Sequence, residues 1–211
     1  ASCRSVNVAH SLARLRAHPE RLHARVVQAL LRALSPDRVR LGWHLVGAGD
    51  AERVRSHGAD VLRAAMARDG REAARLADEL WALNPCSELV APRIRALGGA
   101  GRAPEAKALG EEFIAREQLV PAHVPVLVEL ARLYVDFGSQ DDLALSCVQQ
   151  ARVVLGKAPL PPELIHAEAQ IHFRAGRYAQ AVEAACTLAD APAPSQAAAQ
   201  GQSQGELVAE Q

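Results

Sequence analysis

The sequence predicts an all-α fold, an antiparallel helix-pair superhelix of about ten helices. Three observations carry that expectation. A helix-turn-helix pattern recurs about every 37–38 residues, marked by Gly101, Gly138 and Gly176. Within six residues of each Gly an Ala begins the second helix: Ala106, Ala144 and Ala181. Aromatic residues make up only 3% of a chain that is 49% apolar, so Ala, Leu and Val must build the core. Ala and Leu are strong helix formers, and no long run alternates Val, Ile, Thr and aromatics as strands do. A repeated helix pair cannot bury its apolar face alone, so neighbours must stack, and the stack acquires a hollow side.

The elements follow in order. A weak stripe of Val8, Leu12 and Leu15 precedes the first clear helix. That helix opens at Pro19 and sets Leu22, Val26, Ala29, Leu30 and Ala33 on one face. Ser35-Pro36-Asp37 stops it, with Ser35 as N-cap of a helix carrying Val39, Trp43 and Val46. Gly47-Ala48-Gly49-Asp50 ends that helix, and Asp50 caps the next, which uses Val54, Val61, Leu62, Ala65 and Met66. Asp69-Gly70 is a tight turn before Ala73, Ala77, Leu80 and Trp81. Asn84-Pro85 is a stop, because the residue before Pro is pushed out of helical geometry.

A short helix follows from Ser87 to Leu97, kinked or delayed by Pro92, with Gly98-Gly99-Ala100-Gly101 as its turn. Pro104 opens a helix with Ala106, Leu109, Phe113 and Ile114. Two more pairs carry Leu127, Leu130, Ala131 and Tyr134 with Ala144, Cys147, Val148 and Ala151, then Leu164, Ile165, Ala169 and His172 with Tyr178, Ala181, Val182 and Ala185. After Ala191 the chain is Pro, Ala, Gln, Ser and Gly with almost no charge until Glu206, a composition that predicts a disordered tail. The expected organisation is a helical linker or cap over 1–35, a repeat array over 36–190 and the tail over 191–211. A first residue of Ala rather than Met reads as a fragment of something longer.

Composition bounds the chemistry. Formal net charge is zero, yet residues 1–75 carry fourteen Arg against seven acids, and residues 76–211 carry ten basic against seventeen acidic groups. The basic half suits an acidic partner or is a solvated face. Nucleic-acid phosphate is the weaker candidate, because Trp43 is the only aromatic before Trp81 and bases need aromatic platforms. Cys3, Cys86, Cys147 and Cys186 are far apart, without metal-ligand spacing, and the last three fit small packing residues in a reducing, cytoplasmic compartment. Eight His include no His-Glu-x-x-His, and His44 is expected to pack under the turn after it. Glu111-Glu112 and Asp141-Asp142 diverge on a helix and cannot act as acid/base couples. Gly47-x-Gly49-Asp50 lacks the strand and third Gly of a dinucleotide loop. No stretch of 18 apolar residues, no secretory signal and no nucleophile motif is present. The sequence therefore predicts no catalytic residue, no metal, no cofactor and no membrane span.

Leu130-Ala131-x-x-Tyr134 followed by Gly138 and Ala144 resembles the tetratricopeptide repeat, as does Ala169 followed by Gly176-x-Tyr178-x-x-Ala181. In that family a small residue of the first helix and the Ala of the second let the helices approach; Ala131 with Ala144, and Ala169 with Ala181, match those positions. Ala73 and Ala77 before Asn84-Pro85 look like the second half of another repeat, and the resemblance covers about residues 36–190. The Gly138 unit has one extra residue before its Ala, and the Gly101 unit lacks the aromatic after its turn.

A second likeness runs through Arg21-Leu22-His23-Ala24-Arg25-Val26, Leu41-Gly42-Trp43-His44-Leu45 and Gly47-Ala48-Gly49-Asp50-Ala51-Glu52-Arg53. These resemble the segment after the nucleotide-binding domain in large bacterial signalling ATPases, both regulators of the maltose-activator type and serine/threonine kinases fused to an ATPase. The resemblance implies a repeat region without its engine, for the chain has no phosphate-binding Gly-x-x-x-x-Gly-Lys loop and no kinase signature.

In tetratricopeptide-like stacks the first helix of each pair lines the hollow face. Counted back from the turns, Arg95, Arg132 and Gln170 occupy equivalent outward positions, with His166 and Arg174 one turn to either side of Gln170. These five are the candidate peptide-binding groove. An Arg ladder suits an acidic peptide through bidentate carboxylate pairing; ordinary surface Arg is the alternative. The expected function is a non-catalytic protein-protein interaction or scaffold region, the sensory or regulatory arm of a larger signalling ATPase or kinase joined in cis. A stand-alone adaptor and a nucleic-acid-binding helical transcription regulator are the alternatives.

Overall fold

The structure, a computed structural model, describes residues 18–34, 36–137 and 140–189. The Val8, Leu12, Leu15 stripe, Ser35, Gly138, Cys3 and the tail 191–211 lie outside the described residues.

Ten α-helices make up the described chain, with no strand among the described residues. They are α1 (Pro19–Arg32), α2 (Arg38–Ala48), α3 (Ala51–Met66), α4 (Gly70–Leu83) and α5 (Ser87–Gly99). Then come α6 (Ala103–Arg116), a 3-10 turn (Pro121–His123), α7 (Val124–Phe137), α8 (Asp141–Leu155), α9 (Pro162–Arg174) and α10 (Tyr178–Ala189).

Local chemistry sets the ends. Asp37, Asp50 and Asp69 each accept a hydrogen bond from a backbone N–H of the helix they precede, at Arg40, Arg53 and Arg71. Each cap relieves an orphan donor and is worth roughly 1 kcal/mol. Gly101 and Gly176 take left-handed φ values of 81° and 71°. There the next amide, Arg102 or Arg177, bonds back to Leu97 or His172 and closes the helix end. After α7 the equivalent closure spans one residue more, from the Gln140 amide to the Tyr134 carbonyl.

Two expectations need correction. Pro92 does not delay α5, which starts at Ser87 and runs through it. Gly98 and Gly99 are not turn residues but the last residues of α5. Gly98 is buried there because Leu133 of α7 packs onto it, and a Cβ would come within 2.8 Å of that side chain.

Consecutive helices pack in antiparallel pairs, and the pairs stack in two rows. In the first row α3 meets α5, α5 meets α7 and α7 meets α9. In the second row only α2 and α4 meet comparably; α6, α8 and α10 are splayed apart, and α1 rests on α2. From α3 onward the first row is in contact while the second row beyond α4 is splayed, so that part of the stack curves with the first row inside. Small residues permit that contact: Gly58 of α3 faces Leu89 of α5 as Gly98 faces Leu133. The core falls into two clusters, one around Val27, Leu45, Leu62, Leu76 and Leu80, the other around Ile94, Leu127, Leu130, Val148 and Ile171. Trp81 packs against both and joins them. Ala131, Ala144 and Ala181 are buried, as the close approach of paired helices requires.

Candidate functional site

Arg95 on α5 and Arg132 on α7 converge on one carboxylate, Glu129. Arg132 Nε donates to Glu129 at 3.0 Å, and an Arg95 Nη lies 3.5 Å from its other oxygen. Glu129 is only 6% exposed, the one buried charged residue among the described positions. Burial pushes its carboxyl above the ordinary carboxylate range, and Arg132 and Arg95 pull in the other direction. Asp136, one turn along α7, is 3.7 Å from Arg132. Arg132 is therefore committed to internal acids. Arg95 is 59% exposed with a single long contact, so its guanidinium faces solvent from a fixed base.

His166 and Gln170 stand elsewhere. With Phe173, Tyr178, Val182 and Ala185 they line an apolar trough between α9 and α10. The rings of Phe173 and Tyr178 meet edge to face, 5.6 Å between centroids. Arg174 turns back to the preceding pair, where it donates to the Val135 carbonyl and pairs with Asp141. The five residues expected to form one groove are thus divided among an α5–α7 site, an α9–α10 trough and a strut to α8. Helical period placed Arg95 and Arg132 together; it could not reveal that Arg174, one turn beyond Gln170, is captured by an acid on another helix.

Sequence reasoning missed a polar cluster on the second row. Asp78 of α4 accepts from Arg93 at 3.0 Å and from Arg102 at 2.6 Å. Burial raises the Asp78 carboxyl, but the two Arg hydrogen bonds outweigh it and hold it below its usual value. Arg93 also lies over Trp81, 4.9 Å from the ring centroid, beside a cavity of about 360 Å³ that reaches Phe113 and Arg116. No sequence signal joins Asp78 to partners 15 and 24 positions away.

The cysteines separate by place: Cys86 and Cys147 are buried, as packing residues should be, whereas Cys186 is exposed. Burial pushes the Cys147 thiol up to about 12, and the nearby Glu111 adds to it, which leaves the thiol protonated and unreactive. Among the described residues no three His, Cys, Asp or Glu side chains are grouped to hold a metal ion. No helix among them is long and apolar enough to cross a membrane. No protein-family model, no curated protein and no solved structure matches the chain.

Proposed function

We propose that this chain is a non-catalytic protein-interaction region that binds an acidic peptide along its first row and serves as the regulatory arm of a larger signalling ATPase or kinase. One observation carries the binding face. Arg95 and Arg132 sit side by side on adjacent first-row helices, tied to one buried carboxylate, with Arg95 mostly in solvent. A 3.5 Å contact to Glu129 is a loose hold. An incoming carboxylate can take both Arg95 donors in a bidentate pair, while Arg132 stays as the fixed positive neighbour. The regulatory role rests on the resemblance through Leu41–Leu45 and Gly47–Arg53. Binding that favours one arrangement of the stack would bias whatever domain is joined to it.

Fluorescence anisotropy with a labelled oligoglutamate peptide at low salt tests the face. Wild type binds, Arg95→Glu weakens binding on the order of tenfold or more, and added salt weakens it further. Arg95 is the right position because its side chain is mostly in solvent and a carboxylate there can turn away from Glu129, whereas Arg132→Glu would set one directly against it and disturb the fold. An unchanged affinity in Arg95→Glu, with helicity intact by circular dichroism, refutes this face.

A further inference from the structure

The joint in which α5 and α6 receive α7 is built on two glycines. A Cβ at Gly98 would lie 2.8 Å from Leu133, and one at Gly110 would lie 2.6 Å from Leu130. Counted from the turns, and with the extra residue after Gly138 allowed for, Gly98 corresponds to Val135 and Phe173, and Gly110 to Val148 and Ala185. Val135 and Val148 are buried in one cluster with Leu164, Ala167 and Ile171 of α9. Two helix pairs therefore present this face, and each is covered by the first-row helix of the next pair.

On the third pair the same face is open among the described residues. Phe173, Tyr178 and Val182 are 63%, 62% and 61% exposed around a trough of about 430 Å³. Three large apolar side chains grouped in one open joint are more than the scattered apolar surface of a monomer.

The opposite end of the molecule offers a helix for that joint. α1 faces α2 through His23 and buried Val27, while Leu22, Val26 and Ala29 lie roughly 100° round the helix. Leu22 is 42% exposed, and this stripe lines a groove of about 570 Å³ with Leu30, Arg25 and Arg40. Its spacing of i, i+4, i+7 makes a one-face stripe of the same length as the one a seated first-row helix buries; α9 buries Leu164, Ala167 and Ile171 at i, i+3, i+7.

Charge selects the pairing. Residues 19–48 carry Arg21, Arg25, Arg32, Arg38 and Arg40 against Glu20 and Asp37, a net +3. Residues 162–189 carry Glu163, Glu168 and Glu183 against Arg174 and Arg177, a net −1. Two amino-terminal ends repel, whereas opposite ends attract. The formal net charge of zero adds no general repulsion between copies.

We propose that the α9–α10 trough of one molecule receives the α1 stripe of a second copy, so that the stack continues head to tail from chain to chain. The two faces differ, so the contact is heterologous and extends unless its rotation closes a ring. This association is independent of the first-row peptide face.

Sedimentation equilibrium of the full 211-residue chain tests it. The weight-average mass of wild type rises with concentration above the 22.5 kDa of one chain. Val182→Glu and Leu22→Glu each bring it back to one chain, with circular dichroism as the check on folding; both side chains are exposed, so both variants fold. Mixed together, the two variants form a species of twice the single-chain mass and nothing larger, because each keeps the face the other has lost. A wild-type mass that stays at one chain up to millimolar concentration overturns the proposal, and so does a mixture that stays monomeric. Association abolished by Val182→Glu but untouched by Leu22→Glu means that the trough takes another occupant, and the head-to-tail assignment fails.

Discussion

The Nδ1 atom of His23 on α1 and the Nδ1 atom of His44 on α2 lie 2.8 Å apart. One must donate and the other accept, so the bond needs at least one neutral ring. The His23 ring also lies against Gly47, where a Cβ would meet it at 2.6 Å. His23 therefore packs on the last turn of α2 at Gly47, and His44 holds it there. Among the described helices α1 packs chiefly on α2, so this pair is a principal tie of the first helix to the stack.

Acid should loosen that tie. Burial lowers the pKa of His44, and the facing His23 and Arg40 lower it further. Between that lowered value and the ordinary 6.5 the unfolded chain binds a proton that the folded chain refuses. Stability is present above the ordinary value and is lost as pH falls through this window. His44→Gln keeps a neutral partner for His23 and removes the proton. The Tm of wild type relative to His44→Gln should fall between about pH 7.5 and about pH 5. A difference that stays constant with pH would refute the role of the pair.

Glycines at joints and glycines at ends should respond oppositely to a methyl group. A Cβ at Gly42 would collide with Val61 and come within 2.9 Å of Leu76. Val61 is β-branched and fixed in its helical rotamer, so it cannot swing aside. Gly42→Ala should therefore destabilise by roughly 1–3 kcal/mol in spite of its better helix propensity. At Gly99 a Cβ meets nothing within 4 Å and φ is not positive, so Gly99→Ala should be neutral or stabilise by up to about 1 kcal/mol. Denaturant unfolding of the two variants reads both signs.

Removing one partner of the buried cluster should cost more than removing both. Arg132→Met leaves Glu129 buried with only the long Arg95 contact, and the expected loss at neutral pH is about 3 kcal/mol. The double variant Arg132→Met, Glu129→Leu should regain most of it, because no charge is left without a partner. Glu129 itself has a raised folded pKa, so its ionisation opposes folding as pH rises above the ordinary carboxylate value. The deficit of Arg132→Met should shrink at acid pH, where Glu129 protonates. A deficit independent of pH, or a double variant no better than the single, would place the effect in packing instead.

The Tyr134 hydroxyl donates to Glu111 at 2.7 Å and joins α7 to α6. Tyr134→Phe keeps the buried ring and loses the bond, while exposed Glu111 turns to water. The expected destabilisation is about 1 kcal/mol. A loss above about 3 kcal/mol would show a larger role for that bond.

Local chemistry was legible along the chain. Asp50 as a cap, Gly101 and Gly176 as turns, Pro104 in a first helical turn and Asn84-Pro85 as a stop all appear where their residue types require, whereas Asp69-Gly70 is not a turn but the N-cap and first residue of α4. Each acts within a few residues, so no tertiary contact is needed to read it. The cap expected at Ser35 is instead Asp37, whose carboxylate accepts the Arg40 amide. A Gly-rich run reads locally as a turn, and the side chain that packs on Gly98 inside α5, Leu133, is 35 positions away. The Arg ladder was half legible. Period placed Arg95 and Arg132 on one face, but period cannot say which acid the packing will bury between them.

By itself, then, the sequence determined the all-α fold, the antiparallel pairing and many of the helix ends among the described residues, because capping, turn geometry and apolar period are short-range forces. Only the tertiary structure decided which arginines are spent on Glu129, Asp78 and Asp141, and which apolar joint is left open at Phe173 and Tyr178. Those outcomes depend on where non-neighbouring helices meet, and burial and charge pairing act through space rather than along the chain.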